Sequence, residues 1–409
     1  MSGVSERAVT GQASARESGT GRLAMWERRL HVGAHPVAYP LIRGLGKLRP
    51  VVRLPGLGVL VSEASLVREV LMNAGYSKSG ATASGALWTP VVGPRALLNM
   101  HGAEHLELRR RLNGLLTPRA VEAIVAPAGE RLRGRLAAGL EHGGSVEFVG
   151  LVKELSGGVI SRLLGVPDDA PGRLPDSDLF TLGTSITSLV RLGRPGLAPA
   201  QVAQAKAAVE ILAGPVRNAY RSDDPSTFPG RLRVLGLGED EAVGIVSAFV
   251  IAGTETLVSY VPRLAAMLFD DGRLPALSAD RSGLPDAVTE GLRYTAPSPM
   301  MLREATAAGR LGGVRINPGD RILLSTVHAV KSLGGFDPGT PVPPVARQLW
   351  FGAGAHFCIG MPLAMAEINC ALTVLLDEYA RCPWRIRSRT VSRNVLIPHY
   401  KSLELTRAN

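Results

Sequence analysis

The strongest constraint on the fold is a long apolar segment at residues 239–270. It is apolar nearly all round a helical surface, and this predicts a helix buried in a large core. The chain has 409 residues, of which 45% are hydrophobic, so it can enclose such a core. The most apolar part, residues 242–253, is interrupted by Glu255. We therefore expect a core helix, and we expect no membrane-spanning segment.

The remaining pattern predicts a mainly α-helical protein with a small β-rich part. Residues 1–22 are rich in Ser, Gly, Thr and Arg and lack an apolar leader, so we expect a disordered tail followed by one domain over residues 23–409. Long loops are expected over 75–100 and 171–199, the latter mobile. Helices are predicted at 64–73, 103–140, 200–222, 284–294 and after Gly360. Strands are predicted at 51–54, 58–61, 300–304, 313–316 and 321–327.

Composition excludes several classes of function. The formal net charge is +11, but the basic residues are scattered among acids and aromatic residues make up only 5%. A stacking surface for nucleic acid is therefore not expected. Three cysteines cannot form a disulfide framework in a chain of this length, which favours a reducing, cytoplasmic location.

The most specific segment contains one of these cysteines. It reads Phe351-Gly352-Ala353-Gly354-Ala355-His356-Phe357-Cys358-Ile359-Gly360. The alternating glycines permit a tight turn, and a cysteine at the start of a helix is stabilised as a thiolate. Such a shielded thiolate is suited to binding a haem iron. Taken alone, Cys358 is also compatible with a buried structural cysteine.

Polar residues interrupt the long apolar helix at its centre. Gly253 would let a flat ligand lie against the backbone, while Glu255 and Thr256 are costly in a core unless they are satisfied or functional. The Thr256 hydroxyl is expected to bond back to the carbonyl of Ala252 and to distort the helix. The alternative is a solvated stripe on a partly exposed helix.

Five motifs in this order resemble those of the cytochrome P450 family. The cysteine loop matches Phe-Gly-x-Gly-x-His/Arg-x-Cys-x-Gly at every fixed position, and residues 252–256 match Ala/Gly-Gly-x-Asp/Glu-Thr. The resemblance extends over roughly residues 25–405. The other three motifs are His105-x-x-x-Arg109, Glu290-x-x-Arg293 and the segment 297–303 that ends at Arg303.

The resemblance implies a P450 fold with haem b between the long central helix and the helix of the cysteine loop. Cys358 would be the axial iron ligand, with Phe351 packed near its sulfur. Gly253 would contact the haem on the opposite face. Four residues would bind the haem propionates: His105, Arg109, Arg303 and His356.

The implied activity is that of a soluble bacterial monooxygenase. It would hydroxylate an apolar or amphipathic small molecule with O₂ and electrons from an acidic ferredoxin, which would dock near Arg110 and Arg111. Glu255 and Thr256 would steer protons to the dioxygen. Oxidative coupling, ring closure or desaturation remain alternatives, as does, more remotely, a non-catalytic helper protein. The Arg-, Ala- and Gly-rich composition suggests a GC-rich bacterium and a tailoring step in secondary metabolism.

The chain departs from the family pattern before the cysteine loop. The segment 330–338 is shorter than usual, and a proline stands where an arginine normally completes the Glu-x-x-Arg network, so that Arg347 is a possible substitute. The substrate walls are expected to include the 75–100 loop, with Trp88, Leu97 and Leu98, and the 175–195 region. The walls are also expected to include Ser247, Ala248, Ile251, Met300 and Met301.

Overall fold

A computed structural model describes residues 21–141, 143–190 and 196–408. The predicted disordered tail lies outside these ranges up to residue 20. Residues 21 and 22, which the prediction included in the tail, belong to the first helix. That helix buries Leu23 and Leu30 against the core.

The described residues are mainly α-helical, as predicted. Short 3₁₀ turns at Arg281–Gly283, Leu349–Phe351 and Gly354–His356 connect some of the elements. In chain order the α-helices are α1 (21–34), α2 (Ala38–Leu48), α3 (Ala64–Met72), α4 (Ser84–Val92), α5 (Ala103–Leu112), α6 (Pro118–Glu141), α7 (Phe148–Leu163), α8 (Asp176–Thr187), α9 (Pro199–Arg221), α10 (Phe228–Val234), α11 (Glu239–Asp270), α12 (Leu274–Ala279), α13 (Leu284–Thr295), α14 (Thr326–Lys331) and α15 (Met361–Arg381).

Helix α11 runs through the centre of the helical core with the bounds that its apolar pattern predicts. Its neighbours include α7, α8, α9 and α15. By length and composition alone this helix could cross a membrane, so the expectation that no segment is long enough to do so is wrong. However, 72% of its most apolar window is buried inside the protein. Burial on nearly every side accounts for the apolar composition of this helix.

The strands form a smaller part of the fold, in three sheets. A five-stranded sheet has the order β1-β2-β8-β5-β3, in which β2 and β8 are parallel and the other pairs are antiparallel. A three-stranded sheet has the order β4-β10-β9, and β6 pairs with β7. The strands are β1 (Val51–Leu54), β2 (Gly58–Val61), β3 (Tyr76–Ser77), β4 (Ser145–Glu147), β5 (Met301–Ala305), β6 (Gly309–Leu311), β7 (Val314–Ile316), β8 (Arg321–Leu324), β9 (Trp384–Val391) and β10 (Tyr400–Arg407).

Two segments expected to be long loops contain regular structure. Residues 75–100 include β3 and α4, and residues 171–190 include α8. Both helices are short and carry Gly or Pro, yet they bury side chains such as Leu87, Val91 and Phe180. Tertiary burial here outweighs the low helix propensity of the local sequence.

The Glu290–Arg293 pair of α13 is buried and holds the segment that leads to the cysteine loop. Both carboxylate oxygens of Glu290 accept hydrogen bonds from Arg293 at 2.6 Å, and Glu290 also accepts the amide of Asp337 at 2.8 Å. Arg293 donates further to the carbonyl oxygens of Val330, Gly334 and Gly335. Backbone groups of 330–337 therefore complete this network.

Arg347 does not complete the Glu290–Arg293 network, as the sequence suggested it could. It is an exposed residue, and its carbonyl oxygen accepts a hydrogen bond from Arg68 of α3. The proline-rich segment before the cysteine loop is thus tied to α3 through Arg68, whose Nε also donates to the carbonyl of Val345 at 2.8 Å. The missing arginine is replaced by backbone hydrogen bonds and not by Arg347.

Replacing Glu290 with Ala should cost about 3–5 kcal/mol of unfolding free energy, because it leaves the Arg293 charge buried without its counter-ion. Urea unfolding of the purified protein measures this loss. Glu107→Ala is the matched control, since Glu107 forms the same i,i+3 pair with Arg110 on an exposed surface. Equal effects of the two substitutions would contradict the structural role of the buried pair.

Candidate functional site

A cavity of about 630 Å³ lies between α11 and the cysteine loop. It is enclosed by the helical core on one side and by the five-stranded sheet on the other. Eight of the nine residues predicted for the site line it, and Glu255 does not. The eight are His105, Arg109, Gly253, Thr256, Arg303, Phe351, His356 and Cys358.

The cysteine loop is held in a tight turn that presents Cys358 to the cavity. The amide of Cys358 donates to the carbonyl of Phe351 at 2.9 Å and closes the loop. Gly354 has φ +65°, and a Cβ there would lie 2.8 Å from the carbonyl oxygen of Leu71, so only glycine fits against α3. The loop therefore has its shape because it packs on α3.

The Cys358 thiol lies at the start of α15, with Gly360 as the N-cap residue. Burial raises the pKa of this thiol. Backbone N–H groups of Gly360 and Met361 and the charges of Lys78 and Arg109 act in the opposite direction. These groups stabilise negative charge on the sulfur, but burial outweighs them and the pKa of the thiol stays above its usual value. A metal ion bound at the sulfur would favour the thiolate.

Helix α11 forms the wall that faces the cavity from the other side. Ala252, Gly253 and Thr256 line it, and a Cβ added at Gly253 would meet no atom within 4 Å. The Thr256 hydroxyl donates to the carbonyl oxygens of Ala252 at 3.3 Å and Gly253 at 3.0 Å, so the predicted back-bond to Ala252 is present. A flat group has room against this stretch of the helix.

Glu255 points toward α8 instead of lining the cavity. Its carboxylate accepts a hydrogen bond from the Thr187 hydroxyl at 2.5 Å. Burial raises the pKa of Glu255, and the Thr187 hydrogen bond partly offsets this. The partner comes from a helix 68 positions earlier in the chain, so sequence reasoning had no signal for it.

One end of the cavity concentrates cationic and imidazole groups from separate elements. Lys78 follows β3, Arg109 belongs to α5 and Arg303 to β5, and all three line the cavity. Burial lowers the pKa of Lys78 to about 8 and that of Arg303 to about 10. Sequence reasoning missed Lys78, because a lone lysine in a Gly- and Ser-rich stretch carries no motif.

Two histidines, the buried His105 and the partly buried His356, complete this end of the cavity. Burial, and then the nearby cations, lower the pKa of His105 to about 4 and that of His356 to about 2, so both rings are neutral near pH 7. Their ring centroids lie 4.1 Å apart. Nδ1 of His101 lies 3.0 Å from Nε2 of His356. The sequence did not single out His101.

The cavity fits haem in charge and in shape. Nδ1 of His105 is buried and has no hydrogen-bond partner in the described part of the chain. Among the described residues that line the cavity, the one carboxylate is Glu367 of α15, and burial raises the pKa of this group to about 8, so it is largely uncharged at neutral pH. Lys78, Arg109 and Arg303 therefore have no ionised carboxylate beside them among the described lining residues. Their three positive charges would match the negative charges of two haem propionates and a Cys358 thiolate.

The expected substrate walls are present in part. Trp88, Leu97, Leu98, Ala248, Met300 and Met301 line the cavity, and Val190 represents the 175–195 region. Ser247 and Ile251 do not line it, because both side chains are buried in the core packing of α11. The wall also includes Phe249 and, at the far end, residues of α2 that the sequence analysis did not consider.

Comparison with known proteins identifies related sequences and structures. The chain is 29% identical to nocardicin C N-oxygenase of Nocardia uniformis subsp. tsuyamanensis over 384 residues, covering 86% of the chain and 93% of that enzyme. It is 30% identical to the cytochrome P-450 monooxygenase DoxA of Streptomyces peucetius subsp. caesius over 311 residues, covering 71% and 72%. No protein-family model matches the chain.

The fold is also that of a solved structure. The cytochrome P450 enzyme CYP109B1 from Bacillus subtilis superimposes with a TM-score of 0.74 at 23% identity, covering 91% of this chain and 100% of that one. The sequence relatives and the fold together define a haem-dependent monooxygenase. The chain belongs to the cytochrome P450 family; it is a P450 monooxygenase, and its cofactor is haem.

Replacing Lys78 with Met should accelerate haem loss to an excess of apomyoglobin by roughly tenfold, because one charge-assisted contact to the cofactor is removed. Stopped-flow or manual absorbance traces measure the transfer. Lys206→Met, on an exposed face of α9, is the control. An unchanged rate for Lys78→Met would exclude Lys78 from the residues that hold the haem.

Proposed function

We propose that this protein is a soluble, cytoplasmic P450 that hydroxylates an apolar or amphipathic small molecule in a tailoring step of secondary metabolism. The observation that carries the proposal is the placement of Cys358 and Thr256 on the same cavity, whose other walls are largely apolar. The names of nocardicin C N-oxygenase and DoxA support an oxygenase of this kind.

In this proposal each residue around the cavity has a distinct task. Bound haem supplies the oxidising chemistry with O₂ and two electrons. Cys358 would hold the iron, Phe351 would shield the sulfur from water, and Gly253 would leave room for the ring. The propionates would be held by His105, Arg109, Arg303 and His356, and Lys78, which lines the same cavity, would join them.

Glu255 and Thr256 would manage protons on the α11 side. The Thr256 hydroxyl faces the cavity and holds a proton that it shares with backbone carbonyls. Burial raises the pKa of the Glu255 carboxyl, which favours its protonated form and would suit it to donating a proton. Because Glu255 is bonded to Thr187, it must leave that partner before it turns toward Thr256.

The electron donor would be an acidic ferredoxin that docks near α5. Arg110 of this helix is exposed and forms a surface pair with Glu107 at 2.8 Å. Arg111 is partly buried and donates to the carbonyl of Leu235, so it is less available than the sequence suggested. The exposed Arg110 favours steering of an acidic partner to this side.

Replacing Cys358 with Ala should abolish the strongly red-shifted Soret band of the reduced, carbon monoxide-bound protein, because that band reports thiolate ligation. Absorption spectra of dithionite-reduced samples measure it. Cys370→Ala is the control, since Cys370 lies on α15 away from the cavity lining. Retention of the band in the Cys358 variant, or absence of haem from the unmodified protein, would refute the proposed ligand.

Replacing Thr256 with Ala should lower the amount of oxidised product per electron pair consumed by about tenfold or more, because the hydroxyl that holds the proton is lost. Product and hydrogen peroxide are quantified against cofactor consumption during turnover, and product masses separate hydroxylation from desaturation or coupling. Thr256→Ser retains the hydroxyl and should keep most of the coupling. Equal coupling in Thr256→Ala would remove the residue from proton delivery.

A further inference from the structure

The cavity continues well beyond the residues assigned to haem. It reaches α2, where Ala38, Leu41, Ile42 and Leu45 line it, and the turn between β1 and β2, where Leu57 lines it. The four α2 residues have the spacing of one helical face. Leu41 is 55% exposed and Leu57 is 46% exposed, so this end of the cavity meets the protein surface.

A single arginine lies in this apolar part of the cavity. Arg321 is the first residue of β8 and lines the cavity beside Leu323, which is two positions further along the same strand face. Its Nε atom is buried and has no hydrogen-bond partner among the described residues. Burial lowers the pKa of Arg321. A guanidinium group in such surroundings is unfavourable unless an anion pairs with it.

The nearest acidic residue on the neighbouring strand is already engaged. Glu304 of β5 stands opposite Arg321 in the strand register. Its carboxylate accepts the backbone amide of Thr82 at 2.7 Å and the Thr82 hydroxyl at 2.8 Å. No ion pair joins Glu304 and Arg321 within the described structure. Glu304 therefore does not neutralise Arg321, and the guanidinium is left available to another anion.

The surface around this end of the cavity is positively charged. Between Glu27 and Glu63 the sequence contains no Asp or Glu, while Arg43, Lys47 and Arg49 are exposed on or just after α2. Arg53 of β1 adds little to this positive charge, because it is paired with Asp320 at 2.7 Å. A mouth of this charge attracts anionic small molecules and repels cationic ones.

We propose that the substrate is an amphipathic anion, with an apolar body along the α2 and sheet walls and a carboxylate bound by the guanidinium of Arg321. The bidentate geometry of arginine suits a carboxylate at the surface end of an apolar channel. The apolar body then extends toward Cys358 and Thr256. This proposal deepens the oxygenase function and rests on it for the reaction, but not for binding.

Calorimetric titration of the haem-loaded enzyme tests the proposal with two probes of equal chain length, dodecanoate and dodecan-1-ol. We expect dodecanoate to bind about tenfold more tightly or better, and this preference to shrink as salt is added. Arg321→Gln should remove the preference, and Arg321→Lys should retain part of it. Arg315→Gln, at an exposed position of β7, is the matched control and should leave the preference unchanged.

The outcomes separate this proposal from the proposed function. Equal affinity for acid and alcohol, or an unchanged preference in a folded Arg321→Gln variant, would overturn the assignment of Arg321, while turnover of neutral substrates would leave the oxygenase function intact. Preferential binding of dodecanoate together with intact haem–thiolate spectra and no oxidised product from any ligand would support the anion site and contradict the oxygenase proposal. Thermal unfolding of each variant checks that the fold is retained.

Discussion

The burial of uncompensated positive charge at one end of the cavity is the constraint on which the site depends. Lys78, Arg109 and Arg303 come from three separate segments of the chain and meet without an ionised carboxylate among the described lining residues. Desolvation of these groups opposes folding of the protein without its cofactor. A dianionic haem relieves that cost, so cofactor binding and stability of the fold are coupled through these charges.

The opposite wall depends on a different kind of support. The cysteine loop is fixed by its own Phe351–Cys358 backbone bond and by packing on α3, while the segment before it is held by the buried Glu290–Arg293 pair. This pair binds backbone atoms of 330–337 where the family pattern uses another side chain. Backbone groups are present whatever the sequence, which explains why a shortened and proline-rich segment is compatible with an ordered thiolate loop.

Sequence reasoning succeeded where the signal is local. The bounds of α11 follow from continuous apolar periodicity, and the cysteine loop is defined by residues within ten positions of one another. It failed where distant segments meet: Thr187 as the partner of Glu255, Lys78 beside Arg303, and α2 as a cavity wall have no local pattern. Helices α4 and α8 were missed because burial, and not intrinsic propensity, stabilises them.

The two ends of the cavity apply the same principle to different anions. At both ends an arginine lies in a poorly solvated position without an available carboxylate. Glu367 is largely uncharged, and Glu304 is already hydrogen-bonded to Thr82. At the haem end three cations meet, in keeping with a ligand of several negative charges. At the surface end one guanidinium lies among leucines, in keeping with a ligand that is mostly apolar and singly charged. The number and the surroundings of the unpaired cations therefore indicate the charge and the polarity of each ligand. In the proposed binding mode, Arg321 orients the substrate with its apolar end toward Cys358.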